Sequence, residues 1–316
     1  MMNAVKQMKS KRLRRYTAFE RRRSRQILFM CIPTILKTLI FSYLPMIGLI
    51  MAFQNYIPRR GIFGSEWVGF QNFEYLLKSS IASRLIFNSI FLNILFTVFG
   101  TVVSLLLGLF LFEIGSKLFV KISQTVLVFP YFASWPLVGV LLSALISSEN
   151  GMITKFIEST FSVTLNFYAM PELWPGILTF VNVWKVSGLS AVVYYAILIG
   201  VDREIYEAAE MDGAGKFRTM WSISLPYLKQ MVILNIIMSS VNVLRMDFNM
   251  IYFVTNNSAT LYPTTDVIET YMFRALRTEG DISVAAATGL IQGVVGLILT
   301  LLLNWLSKRT LGESLY

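Results

Sequence analysis

The chain has 316 residues, 55% of them hydrophobic, with a mean hydropathy of +0.61 and a formal charge of +10. That apolarity excludes an ordinary soluble domain and marks a membrane protein. A single cysteine, Cys31, and the absence of histidine exclude an intramolecular disulfide, a Cys-based metal centre and every His-based triad, metal site or proton relay.

Ten of the 28 Lys and Arg fall in residues 1–26, directly before the first apolar run. A basic stretch so placed is a juxtamembrane segment facing the cytoplasm and anionic lipid, not a groove for nucleic acid. A specific protein contact is the alternative to a lipid anchor. No small-x-small cleavage pattern follows, so the first apolar run reads as an uncleaved span. Six runs are long enough to cross a bilayer core, which needs roughly 20 helical residues. They lie near 27–53, 85–112, 120–146, 176–199, 231–254 and 282–306. An even count places both termini on one side. With the N-terminus inside, the inner segments hold 18 basic residues and the outer segments six. Both termini and the loop at 200–229 are therefore expected in the cytoplasm. The chain reads as an all-α membrane protein: a basic segment at 1–26, one transmembrane domain at 27–309 and a short tail at 310–316.

Along the first span, Pro33 and Pro45 predict kinks. Beyond it, Trp67 to Phe73 predicts an amphipathic piece at the membrane interface. The short link around Gly115 to Lys117 makes the second and third spans an antiparallel pair. After the fifth span, Asp266 and Glu269 have the spacing of a capping box, and Val267, Ile268, Tyr271, Met272 and Ala275 share one face of the helix that follows. Ala285, Gly289 and Gly293 form a small-residue stripe on the sixth span, suited to close helix contact within the chain or between subunits.

The polar loop EIYEAAEMDGAGKFRTMWSISLPYLK, Glu204 to Lys229, is the least ordinary stretch. Gly213-Ala214-Gly215-Lys216 looks like a phosphate-binding fragment, but Glu210 and Phe217 stand where a P-loop needs Gly and Ser or Thr. A dinucleotide fingerprint fails at Arg218. Residues 204–211 are good helix formers, with Ala208 and Ala209 keeping the helix slim, and Gly213 and Gly215 give freedom for a sharp turn. A second short helix, Lys216 to Ser224, returns through Ile223 and Leu225, and Pro226 suits the first turn of the fifth span. Read alone, the stretch is either an interaction loop or an amphipathic connector.

The pattern EAA, three residues, G, nine residues, I-x-L-P runs from Glu207 to Pro226 and resembles the signature loop of ABC-importer permeases. VWKVSG at 183–188 and DVIETYMFRALRTEGDISVAAATGL from Asp266 resemble the carbohydrate-importer branch for polysaccharides and oligosaccharides. The resemblance spans about Leu49 to Arg309. It implies a type I importer fold of six transmembrane helices in the bacterial cell membrane. It also implies a second homologous permease, two ATPase subunits that carry the ATP and Mg, and an extracellular or lipid-anchored binding protein docked on outer segments that include the helix after Asp266. No cofactor is expected on this chain. Glu207, Ala208, Ala209, Gly213, Ile223, Leu225 and Pro226 take the coupling positions, with Asp212 a partner for a basic residue on the ATPase. The loop motif is shared with permeases for peptides, amino acids or ions, and a six-span membrane protein without transport function is the reading from another class.

Cargo is expected to meet the polar residues of the fourth and fifth spans: Asn182, Lys185, Tyr195, Asn242, Arg245, Asp247 and Asn249. Charges there cost about 2.5–3.5 kcal/mol on insertion scales, so they face a cavity or a partner. Amides and flat aromatic rings suit a hydroxyl-rich sugar; interhelical glue is the plainer alternative.

Overall fold

Long apolar segments in lipid can satisfy their backbone only internally, and helix is the outcome. The computed structural model describes residues 18–311. Residues 1–17 of the basic segment and 312–316 of the tail lie outside them. The chain divides into two compact units, Met1–Ile50 and Met51–Tyr316.

In the first unit, helix α1 (Ala18–Thr38) passes Pro33 as continuous α-helix, then becomes a π turn at Leu39–Tyr43 and a 3-10 helix from Leu44. The expected irregularity is therefore confined to the region of Pro45, whose ring cannot donate to the preceding turn.

The second unit begins with a two-residue antiparallel ribbon, β1 (Gln54–Asn55) with β2 (Glu66–Trp67), pairing Gln54 with Trp67. Helix α2 (Gln71–Lys78) follows, and the rings of Phe53, Trp67, Phe70 and Phe73 cluster with centroids 5.1–5.8 Å apart. This aromatic knot is the amphipathic piece expected after the first span. Its ribbon is held by Asn72, whose Nδ2 donates to Ala52 O (2.9 Å) and Gln54 O (3.0 Å).

Four helical runs among the described residues are long and apolar enough to cross a membrane: Gln26–Phe53, Ser80–Glu113, Pro171–Ile199 and Ile282–Leu302. The long helices of the second unit are α3 (Ser80–Glu113), α7 (Trp174–Ile199) and α12 (Ile282–Leu311). The stretch expected as a third span is bent by 96° between Lys117–Phe132 and Trp135–Ile146. Helix α4 (Lys117–Val128) runs into a 3-10 turn opened by Pro130, Ala133 and Ser134 are extended, and α5 (Trp135–Ile146) restarts with Pro136 in its first turn.

The uninterrupted helix expected at 231–254 is absent. Helix α9 (Leu225–Val241) stops at Asn242, and α10 (Phe248–Val254) starts after Asp247, whose carboxylate accepts from the N–H groups of Asn249 (2.9 Å) and Met250 (3.3 Å). A hydropathy window records the apolar average but not the capping residue inside it.

The core joins these pieces. Leu92, Trp174, Leu178, Met250, Ile251 and Val254 are fully or almost fully buried in one cluster, and Leu109, Tyr194, Leu198 and Leu228 in another. Close approach of α4 to α7 depends on Gly188, where an added Cβ would fall 1.8 Å from the Leu127 carbonyl oxygen. Backbone, not a movable side chain, occupies that space. Gly188→Ala is therefore expected to destabilise the chain by about 1–3 kcal/mol, seen as a lower unfolding temperature of the purified protein in detergent. An unchanged temperature would refute the contact.

Outside the long helices, α6 (Met152–Phe161) precedes α7, and α11 (Ile268–Arg274) precedes α12. Most of the expected apolar face of α11 is buried: Val267, Ile268, Tyr271 and Ala275 are each at most 6% exposed, and Met272 is half-buried. Its expected cap is different. Glu269 does not reach back to Asp266; instead the Thr270 hydroxyl oxygen accepts the Val267 N–H at 3.1 Å. The Asp266 carboxylate, completely buried, accepts from Arg274 (2.7 Å to each oxygen), Arg84 (3.2 Å) and the Thr270 hydroxyl (3.0 Å). Two guanidinium groups outcompete a backbone N–H for one carboxylate.

Candidate functional site

Residues 200–229 form a compact appendage at the ends of α3 and α9. Helix α8 (Arg203–Met211) closes with the Asp212 N–H donating to Ala208 O (3.0 Å), Gly213 to Glu210 O (3.0 Å) and Ala214 to Ala209 O (2.9 Å). Gly213 has φ +77°, so it alone takes the left-handed conformation; Gly215, at −69°, does not. The turn thus needs one of the two glycines. Lys216–Thr219, a π turn at Met220–Ser224 and α9 are then continuous, so the expected separate helix ending at Ser224 is in fact the first part of α9's helical run. The π turn lies where Pro226 withdraws a donor from the ladder.

Glu207, Ala208, Asp212 and Gly213 are exposed, Ala209, Ile223 and Leu225 half-buried, and Pro226 exposed. Glu207 pairs with Arg203 at 3.2 Å, a solvated contact within one helix. Met211 and Phe217 are 88% and 78% exposed, which leaves an apolar pair beside the turn. The loop is fixed from beneath by residues that motif reading passed over. The Tyr206 hydroxyl meets Ser224 Oγ at 3.1 Å, the Tyr206 ring lies 5.1 Å from that of Phe112, and Lys216 pairs with Glu113 at 3.6 Å. Burial pushes the Tyr206 hydroxyl above its ordinary range, so it stays protonated and able to donate.

A second feature lies among the long helices. A polar cavity of about 220 Å³ is lined by Asn93, Thr97, Thr101 and Ser104 of α3. Facing them are Asn182, Ser187 and Ser190 of α7 with Asn235 and Ser239 of α9, and no charged side chain. Ser187 Oγ is buried without a partner, and the Asn235 amide donates to the Tyr194 hydroxyl at 3.4 Å. Such a concentration of hydroxyls and amides between apolar helices is suited to hydroxyl groups or water. Only Asn182 of the seven expected cargo residues is here. The α3 residues were legible: spacings of four, four and three place 93, 97, 101 and 104 on one helix face.

The other expected residues are distributed around the two helix breaks. Lys185 is buried, donating from Nζ to Tyr131 O (2.7 Å) and lying over the rings of Tyr131 (5.3 Å) and Trp135 (5.0 Å). Asp247 accepts from Trp135 Nε1 at 2.6 Å besides capping α10. These two charges therefore tie the bend of α4–α5 to α7 and α10. Asn242 ends α9, its carbonyl accepting from the Arg245 N–H (2.8 Å) and from the Asn93 amide (3.4 Å). Arg245 and Asn249 are exposed, and Tyr195, half-buried, is not in the cavity wall. Glu269 supports the second break, its Oε1 accepting from the Met246 N–H (3.0 Å) and Gln292 Nε2 (2.7 Å). Burial pushes its carboxyl above the usual range, against the pull of those two donors. Among the described residues no three His, Cys, Asp or Glu assemble into a metal site.

The chain is 34% identical over 287 residues to the polygalacturonan/rhamnogalacturonan transport system permease protein YteP of Bacillus subtilis, covering 91% of this chain and 89% of that one. It is similar in structure, with a TM-score of 0.82 and 31% identity, to a chain of a bacterial ABC transporter involved in the import of the acidic polysaccharide alginate, with 92% of this chain and 97% of that one covered. A second structure, the bacterial alginate ABC transporter in complex with an alginate pentasaccharide-bound periplasmic protein, also gives 0.82, at 30% identity, with 93% and 98% covered. Residues 100–312, from the middle of α3 through the appendage to the end of α12, match one family, and the chain belongs to it: the binding-protein-dependent transport system inner membrane components.

Proposed function

We propose that this chain is a permease subunit of an ATP-driven importer for oligosaccharides. The observation that carries the reading is the uncharged polar cavity between α3, α7 and α9, which offers hydroxyl and amide partners inside an apolar domain. The permease and transporter names of the similar chains support it, as do the saccharides in those names. Six crossings are counted as α1 with its 3-10 extension, α3, the bent α4–α5, α7, the interrupted α9–α10 and α12. Both termini are then cytoplasmic, as the basic residues favour.

The appendage at 200–229 docks into a cytoplasmic ATPase subunit through Glu207, Ala208, Asp212 and the exposed Met211 and Phe217. ATP and Mg belong to two such subunits, and this chain binds no cofactor. A second, homologous permease completes the path. A binding protein delivers saccharide at the outer end, a reading supported by the periplasmic protein in the alginate complex.

The test is uptake of labelled oligosaccharide by cells carrying the whole system. Ser190→Leu, which fills the cavity wall, is expected to lower uptake about tenfold, the equivalent of roughly 1.4 kcal/mol, with the amount of inserted chain unchanged. Undiminished uptake by that variant would remove the cavity from the pathway.

A further inference from the structure

Helix α8 touches the rest of the molecule at few points. Of its nine residues, Tyr206 and Ala209 are half-buried and the others are exposed. Non-helical residues 200–202 precede it and the left-handed turn at Gly213 follows, so both covalent joints are of the kind that absorbs a hinge motion. A force applied to α8 is lost at such joints unless side chains brace the helix. Ala209 offers one methyl group. Tyr206 offers a ring and a hydroxyl, and both are engaged. The ring lies 5.1 Å from that of Phe112, in the last turn of α3. The hydroxyl meets Ser224 Oγ at 3.1 Å, and Ser224 is completely buried where the π turn runs into α9. The other tie, Lys216 to Glu113 at 3.6 Å, holds the returning helix and not α8, and with Lys216 80% exposed it is weak.

What Tyr206 rests on is one packed body. Phe112 and Met220 sit against the buried cluster of Leu109, Tyr194, Leu198 and Leu228, which come from α3, α7 and α9. At Gly108 an added Cβ would fall 2.9 Å from Tyr194 Cβ and 3.1 Å from Ala191 O, so α3 and α7 are in backbone-close contact. Close-packed interiors transmit displacement instead of absorbing it. The same three helices line the polar cavity, and Asn235 in its wall donates to the Tyr194 hydroxyl at 3.4 Å.

We propose that Tyr206 is the positioning residue of the docking helix: it braces α8 against α3 and α9, so that a pull on α8 reaches the cavity wall instead of being spent in the joints at either end. The proposal rests on the ATP-driven importer reading above and adds the side chain that carries motion from the docking surface into the membrane. The docking residues themselves, Glu207, Ala208, Met211, Asp212 and Phe217, point away from this brace into solvent.

The test reads the cavity directly and needs no cargo. In a Cys31→Ser background, which removes the one native thiol of this chain, Ser190→Cys places a thiol in the cavity wall. Inside-out membrane vesicles carrying the whole system are treated with a membrane-impermeant maleimide, with and without ATP plus vanadate. A path open to both sides at once would leak, so with Tyr206 intact the trapped nucleotide is expected to lower labelling of this chain about tenfold. Tyr206→Ala should shrink that change to within about twofold, while the ATPase still co-purifies and still hydrolyses ATP. Tyr206→Phe, which keeps the ring and loses the hydroxyl, should give an intermediate change of about threefold. A full tenfold change in Tyr206→Ala overturns the proposal. Loss of the ATPase from that variant also overturns it, because Tyr206 would then be shaping the docking surface. If the alanine variant fails to insert, Tyr206→Phe combined with Ser224→Ala decides, since removing both polar partners together is nearly neutral for stability. In that pair a change near threefold supports the brace, and a full tenfold change overturns it. If ATP leaves labelling unaltered even with Tyr206 intact, the importer reading itself falls.

Discussion

Gly213→Pro is expected to abolish uptake while leaving the chain in the membrane. Gly213 has φ +77°, which proline, fixed near −65°, cannot adopt. The substitution also removes the N–H that donates to Glu210 O at 3.0 Å, and it strains Asp212 before it. The local cost is about 3 kcal/mol or more, larger than the turn can absorb, so α8 loses its angle to the helix that follows. No atom lies within 4 Å of an added Cβ here, so crowding does not confuse the outcome. Gly213→Asn is the control, since asparagine tolerates the left-handed region and should keep most uptake. Uptake and co-purification of the ATPase are the readouts. Normal uptake by the proline variant would show that the turn does not transmit motion.

The second large effect is expected at Asp266. Asp266→Ala leaves Arg84 and Arg274 facing each other around a vacated carboxylate position, with Arg274 only 12% exposed and stacked 4.0 Å above the Tyr262 ring. Breaking a buried ion pair from one side costs about 3–5 kcal/mol, because the remaining charge is stranded. Thermal unfolding of the purified chain in detergent measures it. Arg84→Gln should cost far less, about 1 kcal/mol or below, since Arg84 is 37% exposed and can turn to water. Equal stabilities of wild type and Asp266→Ala would mean that the triad does not hold α11 to α3.

Sequence-level reading succeeded where the signal is local. The loop from Glu207 to Pro226 folds as a helix, a glycine turn and a returning helix, because α8 formers, a left-handed glycine and a proline act within a few residues. It erred where the signal is an average. The third span looked continuous although Pro130 and Pro136 flank its 96° bend, and the fifth looked continuous although Asp247 is a helix cap. For Lys185 and Asp247 the sequence left a cavity or a partner open; the fold supplies partners, Tyr131 and Trp135 for Lys185 and Trp135 for Asp247.

The sequence by itself determined that this is a helical membrane protein and that its one elaborate loop turns at Gly213, since apolar run length and backbone freedom are properties of neighbouring residues. Only the tertiary structure decided which polar side chains are free. Arg84 and Asp266 are 182 positions apart, as are no local signals, and Trp135 reaches Asp247 across 112. Whether a charge inside an apolar domain is satisfied depends on what the fold brings to it: Lys185 is buried against the carbonyl of Tyr131 and two aromatic rings, none of which is its neighbour in sequence.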